Sequence, residues 1–302
     1  MMQEDIVILD GGMSRELERL GAPFRQPEWS ALALIETPEI VERVHAEFID
    51  AGAEVITTNN YAVVPFHIGE ERFAAEGGRL IELSGRLARS AADRKTGTRV
   101  AGSIPPVFGS YLPQDFDPAH APALLGKIVS GLARHVDLWL IETTSSIEEM
   151  KAAAKATSAA PKPLWVSYTL EDGHADSQIP TLRSGEPVRA AVEAAVASGA
   201  EAVLFNCSAP EVMEAAVKVA VAAVPEGVRI GVYANAFAKP ADEIPANDGV
   251  DEIRHDLDPA AYAAWARRWK ALGATLIGGC CGIGCGHIAA LRRTLKPADQ
   301  SS

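Results

Sequence analysis

The chain has 302 residues, of which 48% are hydrophobic, and its formal net charge is −12 at pH 7. This acidic balance argues against a nucleic-acid partner, which would require clustered Lys and Arg. The N-terminus has no basic segment followed by an apolar one, and no apolar run is long enough to span a membrane. We therefore expect a cytoplasmic protein with a large core, reduced thiols, and neither nucleic acid nor membrane as a partner.

Short apolar runs alternate with amphipathic helical patterns along the chain, which predicts a parallel sheet covered by helices. The predicted strands are Ile6–Leu9, Glu54–Thr57, Arg99–Ala101, Leu138–Ile141, Leu164–Tyr168, Ala202–Phe205, Arg229–Tyr233 and Ala274–Ile277. The predicted helices are one that ends at Leu20, then Glu39–Ala51, Glu70–Arg94, Ala119–His135, Ile147–Ala156, Pro187–Ala197, Glu211–Val224, Pro259–Leu272 and Ile288–Leu295. Such units predict an α/β fold, a (β/α)8 TIM barrel that forms a single domain over residues 1–302, with a flexible tail after about residue 297. A doubly wound sheet is the alternative.

Polar residues follow the predicted strands, and in this barrel the C-terminal strand ends carry the active site. They are Asp10, Thr58, Asn59, Ser103, Glu142, Ser167, Thr169, Asn206, Cys207, Asn235, Cys280 and Cys281. Asp10 or Glu142 alone could be a turn or loop residue. Two carboxylates at strand ends beside thiols instead indicate substrate binding. The histidines before residue 280 form no spaced metal-binding pair.

The last predicted strand stops at two glycines, Gly278 and Gly279, which precede Cys280 and Cys281. Neighbouring side chains on a strand point to opposite faces, so both thiols can meet only where the backbone leaves strand geometry, and glycines permit this. Cys207 ends a strand two positions away around the barrel, so its thiol can join them. Three thiolates with one exchangeable position are typical of a catalytic zinc site.

Other interpretations of this stretch remain. The stretch could be a tight glycine turn with two buried thiols. Cys285 could close the zinc site as a fourth ligand, although a free thiol is the simpler role, and His287 is expected to begin the last helix. A disulfide framework is not expected, because three of the four cysteines lie between positions 280 and 285.

Five motifs can be compared with known families. They are Leu9-Asp10-Gly11-Gly12-Met13, Ala51-Gly52-Ala53 leading to Thr57-Thr58-Asn59, Glu142-Thr143, Phe205-Asn206-Cys207, and Gly278-Gly279-Cys280-Cys281-Gly282. Together they resemble the homocysteine S-methyltransferase family, over a region from about Ile6 to Leu295. The double-cysteine motif with the upstream Asn-Cys is the most specific part of this resemblance.

The resemblance implies a zinc-dependent enzyme that transfers a methyl group to homocysteine and releases methionine. One zinc ion per chain would be held by Cys207, Cys280 and Cys281. The implied substrate-binding residues are Asp10, Gly11, Gly12, Thr58, Asn59, Glu142 and Asn206. Among them, Asp10 and Glu142 would hold the amino group of homocysteine, and the amides of Gly11 and Gly12 would meet its carboxylate.

The methyl donor is less well specified. The family uses S-methylmethionine, S-adenosylmethionine, betaine or a methylated folate. This chain is not the large multidomain chain that usually accompanies folate, and it shows no long C-terminal extension of the betaine type. We therefore expect a sulfonium donor, with betaine as the alternative. The chain departs from the family pattern at Asn60, at residues 234–237 and at Cys285, and the first two departures concern the donor side.

Two other classes of function stay open. One is a zinc–thiolate enzyme that acts on another thiol or methylated substrate. The other is a barrel whose four cysteines form a closed zinc site or a redox pair with a binding or structural role. The sequence also leaves open whether the chain is a homo-oligomer, and whether the loops at residues 103–118 and 236–258 close over the site.

Overall fold

Eight parallel strands form the inner wall of the protein in a computed structural model that describes residues 5–172, 179–237 and 253–296. In chain order they are β1 (Val7–Ile8), β2 (Val55–Thr57), β3 (Arg99–Ile104), β4 (Leu138–Thr144), β5 (Leu164–Tyr168), β6 (Ala202–Asn206), β7 (Arg229–Tyr233) and β8 (Leu276–Ile277). All eight predicted strands are confirmed. Strands β3 and β4 run further than predicted, because Ile104 still pairs with Ile141 and Thr144 with Tyr168.

Helices cover the outside of this wall. They are α1 (Met13–Arg19), α2 (Ser30–Glu36), α3 (Pro38–Ala51), α4 (Pro65–Ile68), α5 (Glu70–Ala92), α6 (Ala121–Leu132), α7 (Ile147–Thr157), α8 (Val188–Ala197), α9 (Pro210–Val221), α10 (Pro259–Ala271) and α11 (Cys285–Leu295), with a 3-10 turn at Pro113–Asp115. The predicted helices are all present, but α2 and α4 were missed. Residues 30–34 of α2 are all buried, so this helix has no polar face to reveal its period, and α4 is a single turn.

The sheet closes on itself. Its strands pair in the order β1-β8-β7-β6-β5-β4-β3-β2, and a parallel bridge between Leu9 and Val55 joins the two ends. Across this seam the Asp10 amide donates to the Val55 carbonyl at 3.0 Å, and the Glu54 amide donates to the Ile8 carbonyl at 2.7 Å. The single-domain barrel is therefore confirmed, and the doubly wound alternative is excluded.

Strand residues alternate between two cores. Outward residues such as Ile56, Val166 and Phe205 pack against the helices in the larger core. The inward residues fill the barrel and are Leu9, Val55, Ala101, Leu138, Leu140, Trp165, Ala202, Leu204, Tyr233 and Leu276. Because the alternation continues toward the C-terminal strand ends, the next inward residues on five strands are Thr57, Ser103, Glu142, Ser167 and Asn206. A polar layer therefore lies directly above an apolar one.

Two expectations from the sequence concern segments that the structure does not describe. The predicted tail and residues 238–252 of the loop after β7 both lie outside the described residues. The loop after β3 is described, and its residues Ser110 and Tyr111 line the cavity discussed below. None of the described helices is long and apolar enough to cross a membrane.

Candidate active site

A cavity of about 230 Å³ opens at the C-terminal ends of the strands. Nine of the ten residues predicted for the site line it, namely Asp10, Gly11, Gly12, Thr58, Asn59, Glu142, Cys207, Cys280 and Cys281. These residues come from five different strand ends, and the barrel brings them together because parallel strands all end on one face.

Three of the cysteines form one cluster, which we call the thiol cluster: Cys207, Cys280 and Cys281. Their sulfur atoms all lie within 4.8 Å of one another, and those of Cys280 and Cys281 are 4.0 Å apart. Tetrahedral zinc with Zn–S bonds of about 2.3 Å separates its sulfur ligands by roughly 3.8 Å. The donor type of all three residues and the spacing of Cys280 and Cys281 therefore fit a zinc ion.

The sulfur atoms of Cys207 and Cys280 are bonded to each other in the structure. The expectation of reduced thiols and no disulfide is therefore wrong for this pair. The bond between Cys207 and Cys280 can form because the fold brings these thiols together, and thiols close enough to share one metal ion are also close enough to bond. Disulfide and zinc exclude each other here, since only thiolates bind the metal.

Backbone hydrogen bonds fix the two adjacent cysteines. The Cys280 amide donates to the Ala234 carbonyl and the Ala236 amide donates to the Cys281 carbonyl, each at 2.9 Å. From α10, the Tyr262 hydroxyl donates to the carbonyl of Gly278 at 2.8 Å. The loop after β7 and a helix on the outside of the barrel thus hold the chain in the non-strand path that the sequence predicted.

Glycine is required where the segments that follow β1 and β8 pack against each other. A Cβ atom on Gly12 would press on the Cys280 carbonyl, and one on Gly279 would overlap the Ile283 side chain. The Gly12 amide donates to the Ile283 carbonyl at 2.8 Å, so this amide is occupied. Both glycines line the cavity, and their predicted contact with a substrate carboxylate stays a prediction, for which the Gly12 amide would have to be shared with Ile283.

Cys285 and His287 do not belong to the thiol cluster. Cys285 begins α11, where its sulfur lies near the carboxylates of Glu16 and Glu47. Burial raises the pKa of this thiol to about 12, so it stays protonated at neutral pH. The His287 ring caps its own helix through the Gly284 amide at 3.2 Å. Neither residue closes the site, which leaves an open position beside the three sulfur atoms.

The two predicted carboxylates are also buried, and they line the same cavity. Asp10 accepts the Thr57 amide at 2.7 Å and the Thr57 hydroxyl at 3.2 Å. Glu142 accepts the hydroxyl of Ser103 at 2.5 Å. Burial raises the pKa of both carboxyl groups to about 7, and Glu142 adds to the effect at Asp10 by charge repulsion. No Lys, Arg or His among the described residues forms an ion pair with either group.

A hydrogen-bond network supports the Ser103–Glu142 contact. The Thr58 hydroxyl donates to the Asn60 side chain at 2.6 Å, and the Asn60 amide donates to the Ser103 carbonyl at 2.9 Å. The Ser103 amide in turn donates to the Thr58 hydroxyl at 3.0 Å. Thr58, predicted as a binding residue, therefore has its hydroxyl engaged within the wall. Asn60, where the family commonly has Thr, is part of the support for Glu142.

Asn206 differs from its predicted role. It is fully buried and does not line the cavity. Its side-chain oxygen accepts the Thr143 amide at 3.0 Å and the Ser167 hydroxyl at 2.7 Å, and its side-chain amide donates to the Thr143 hydroxyl at 2.8 Å. Thr143 lies where the β4–β5 register shifts. Asn206 thus holds the β4 bulge that follows Glu142 rather than contacting a substrate.

Aromatic side chains form the mouth of the cavity, and the sequence analysis missed their role. They are Phe24, Trp29, Tyr61, Tyr111 and Phe237. The Tyr61 hydroxyl pairs with that of Ser110 at 2.6 Å, and the Arg183 guanidinium lies over the Tyr111 ring at 4.5 Å. These residues lie on loops between elements, where no periodic pattern indicates which way a side chain faces.

Four non-glycine residues of the described chain have positive φ angles, and all four line this cavity. They are Trp29 (47°), Cys207 (51°), Thr143 (57°) and Tyr111 (66°). This conformation costs non-glycine residues energy and is concentrated at functional sites. At Cys207 the left-handed turn ends β6 and aims the thiol toward the other cysteines.

The chain is similar to known proteins over nearly its whole length, including all the residues that line the cavity. The sequence matches the profile described as homocysteine S-methyltransferase over residues 7–295. It is 31% identical over 322 aligned positions to the homocysteine S-methyltransferase of Escherichia coli, covering 96% of this chain and 95% of that protein. Its structure is similar to the metallated form of the homocysteine methyltransferase MmuM from E. coli, with a TM-score of 0.76 and 30% identity over 96% of both chains. For the oxidized form of MmuM the TM-score is 0.77.

Proposed function

Because this chain belongs to the homocysteine S-methyltransferase family, we propose that its cavity binds homocysteine together with a methyl donor and produces methionine. The observation that carries this proposal is that two features line one cavity. One is the thiol cluster, and the other is the pair of carboxylates of Asp10 and Glu142, which we call the carboxylate wall. Homocysteine has a thiol at one end and an ammonium group at the other, so it matches both features.

The carboxylate wall is suited to a cation. A buried charge without a partner is costly, and a carboxyl group can avoid the cost only by staying protonated or by meeting a positive ligand. The pKa values of Asp10 and Glu142 are raised to about 7 because burial makes the ionised form of each carboxyl group less favourable. An ammonium group placed between them would hold both groups ionised. Ser103 and Thr57 keep the two carboxylates oriented before the substrate arrives.

The thiol cluster is suited to zinc, which the metallated MmuM relative makes the leading choice among metals that prefer thiolates. Cys207, Cys280 and Cys281 would hold the ion once the Cys207–Cys280 bond is reduced. Zinc bound there would supply one thing to the chemistry, a substrate thiol that is deprotonated at neutral pH. The open position beside the three sulfur atoms is the place where that substrate thiol would meet the metal.

Methyl transfer then needs a donor aligned with the substrate sulfur. In the reaction, the thiolate of homocysteine forms a bond to the methyl carbon while the bond from that carbon to the donor breaks, and the donor leaves with the electron pair. A cationic donor loses its charge in this step. The rate depends on orientation, which the aromatic mouth formed by residues such as Trp29 and Tyr111 would provide.

The same aromatic mouth favours a sulfonium or quaternary ammonium donor. Aromatic faces attract such cations, which lack N–H or O–H groups for ordinary hydrogen bonds. This preference fits S-methylmethionine and S-adenosylmethionine, and betaine is the alternative. A methylated folate carries no full positive charge on its methyl group and gains less from this wall.

The test is methionine formation by the purified, reduced and zinc-loaded protein. Homocysteine is supplied with S-methylmethionine, S-adenosylmethionine, betaine or methyltetrahydrofolate in separate reactions. We expect turnover with a sulfonium donor. Turnover with betaine alone would correct the donor, and the absence of methionine with all four donors, at one zinc per chain, would refute the proposed reaction.

A further inference from the structure

Tyr233 ends β7 and faces into the barrel, where it is the last inward residue of that strand. Its side chain is buried and lines the cavity. Its hydroxyl is shielded from solvent and makes no hydrogen bond of normal geometry among the described residues, although Glu142 and Ser167 lie close enough to interact with it. A buried hydroxyl without a partner is unfavourable, so native structures seldom keep one without a reason.

Other buried tyrosines of this protein do not share this property. The Tyr168 hydroxyl donates to the Ala191 carbonyl at 2.8 Å, and that of Tyr262 donates to the Gly278 carbonyl at 2.8 Å. Tyr61 pairs with the Ser110 hydroxyl. In each case a neighbouring element supplies a partner. The hydroxyl of Tyr233 is therefore unusual within this fold, and it belongs to a side chain that lines the cavity.

The surroundings of Tyr233 indicate what this hydroxyl is for. Glu142 and Asp10 both influence it electrostatically, and the Tyr233 hydroxyl in turn lowers the pKa of Glu142. Ser103 donates to one oxygen of Glu142, and the Tyr233 hydroxyl lies near the same carboxylate. Tyr233 thus stands at the same depth as the carboxylate wall. A hydroxyl there can donate to a carboxylate and still accept a hydrogen bond through its own oxygen.

We propose that the Tyr233 hydroxyl is the third contact of the substrate ammonium group, beside Asp10 and Glu142, and that it gives the site its preference for amino-acid thiols over thiols without an amine. An ammonium group has three N–H donors, and this arrangement offers three acceptors. The inference rests on the proposed function in one respect, that the cavity binds homocysteine. When the substrate is bound, its ammonium group would donate a hydrogen bond to the Tyr233 hydroxyl, so the hydroxyl would lack a good partner only in the empty site.

Replacing Tyr233 with Phe tests the inference, because this change removes the hydroxyl and keeps the ring. Calorimetry would measure the dissociation constants of homocysteine and of 4-mercaptobutanoate, which differ only by the amino group. The protein would be zinc-loaded and reduced, without donor, at pH 8. We expect Y233F to bind homocysteine about tenfold more weakly, as is typical for losing a hydrogen bond to a charged group. Binding of 4-mercaptobutanoate should change by less than about twofold.

Tyr168→Phe is the matched control, because it removes a buried tyrosine hydroxyl outside the cavity. We expect this variant to keep the homocysteine preference of the unsubstituted chain and to unfold at a lower temperature, since its hydroxyl has a partner to lose. Y233F should show no such loss of thermal stability.

Three results would overturn the inference about Tyr233. They are an unchanged preference in Y233F, an equal loss of affinity for both thiols, and an unsubstituted chain that does not prefer homocysteine over 4-mercaptobutanoate. Methionine formation is measured in parallel and reports on the proposed function separately. Preferential binding without turnover would remove the reaction while leaving the ammonium contact in place.

Discussion

Within the described parts of the chain, two clusters bring three potential metal ligands within 4.8 Å of one another, and their surroundings differ. One is the thiol cluster. The other, which we call the peripheral cluster, consists of Glu16, Glu47 and Cys285. In the peripheral cluster the Arg19 side chain bonds to both carboxylates, and the Glu16 carboxylate accepts the Cys285 amide at 3.0 Å. Arg43 also pairs with Glu47, so two guanidinium groups balance the two carboxylates of this cluster, which joins α1, α3 and α11.

The thiol cluster differs in its ligand atoms and in its place. Its three ligand atoms are all sulfur, and its residues line the cavity at the C-terminal strand ends together with Asp10 and Glu142. Proximity of ligand-type residues therefore does not define a metal site. What distinguishes the two clusters is that arginines already pair with the carboxylates of the peripheral cluster, whereas the thiol cluster lies in a cavity that a ligand can enter.

The largest expected effect follows from removing a thiol. Cys280→Ser should abolish zinc binding and lower the rate of methyl transfer by at least about a hundredfold, since even outer-shell changes at metal sites cost 10–100-fold. Cys285→Ser, in the peripheral cluster, should retain one zinc per chain and normal turnover. For both variants, the zinc content per chain and the initial rate of methyl transfer would be measured. Loss of zinc in the Cys285 variant would instead support the alternative in which all four cysteines form a closed zinc site.

The next effect concerns the carboxylate wall. Glu142→Gln should reduce kcat/KM for homocysteine by about a hundredfold, the scale of losing one partner of a buried charge pair. Glu149 provides a control, because it is also a buried glutamate with a pKa raised to about 7 by burial, yet it lies on α7 outside the cavity. Glu149→Gln should leave kcat/KM within about twofold. Equal losses in the two variants would argue against a role in binding.

A third prediction concerns pH. The pKa values of Asp10 and Glu142 are near 7 in the folded chain, above the ordinary values of 3.8 and 4.5. The folded state therefore holds more protons than the unfolded state between about pH 4 and pH 7, and the free energy of unfolding falls as pH rises through this window. The double variant D10N/E142Q should be more stable than the unsubstituted, metal-free chain at pH 8, by roughly 1–3 kcal/mol, and not at pH 4. Urea unfolding at both pH values decides this, and a gain of the same size at pH 4 would contradict it.

The same pKa values predict the opposite trend for the substrate. An ammonium group binds the ionised carboxylates, so homocysteine affinity should rise as pH increases through about 7. Calorimetry over that range would reveal the trend. A flat profile would mean that these two groups do not meet the amino group.

The smallest expected effect belongs to the peripheral cluster. Glu16→Ala removes the carboxylate that accepts the Cys285 amide at the start of α11. The loss should lower the free energy of unfolding by about 1 kcal/mol, the usual value of a helix N-terminal cap. Methyl transfer and zinc content should stay unchanged. A drop in zinc content would show that the two clusters are coupled.

Most of the site could be predicted from the sequence, because the eight strands are apolar runs of the expected length and their ends share one face. Asp10, Glu142 and the three cysteines follow those ends directly. The sequence did not show which side chains or amides already have a partner inside the protein. Asn206 forms hydrogen bonds with Thr143 and Ser167, and the Gly12 amide donates a hydrogen bond to Ile283. Such partners lie on other strands and cannot be read from local spacing.

The sequence by itself determined the fold class, the ring of strands and which strand ends carry thiols and carboxylates, because these depend on periodicity and chain order. Only the tertiary structure decided how deep each group lies, which hydrogen bonds are already made, and which loops supply the aromatic mouth. Those properties depend on contacts between residues far apart in the chain. Tyr233 illustrates the difference: its position at the end of β7 is visible in the sequence, whereas its unpartnered hydroxyl is visible only once the barrel is closed.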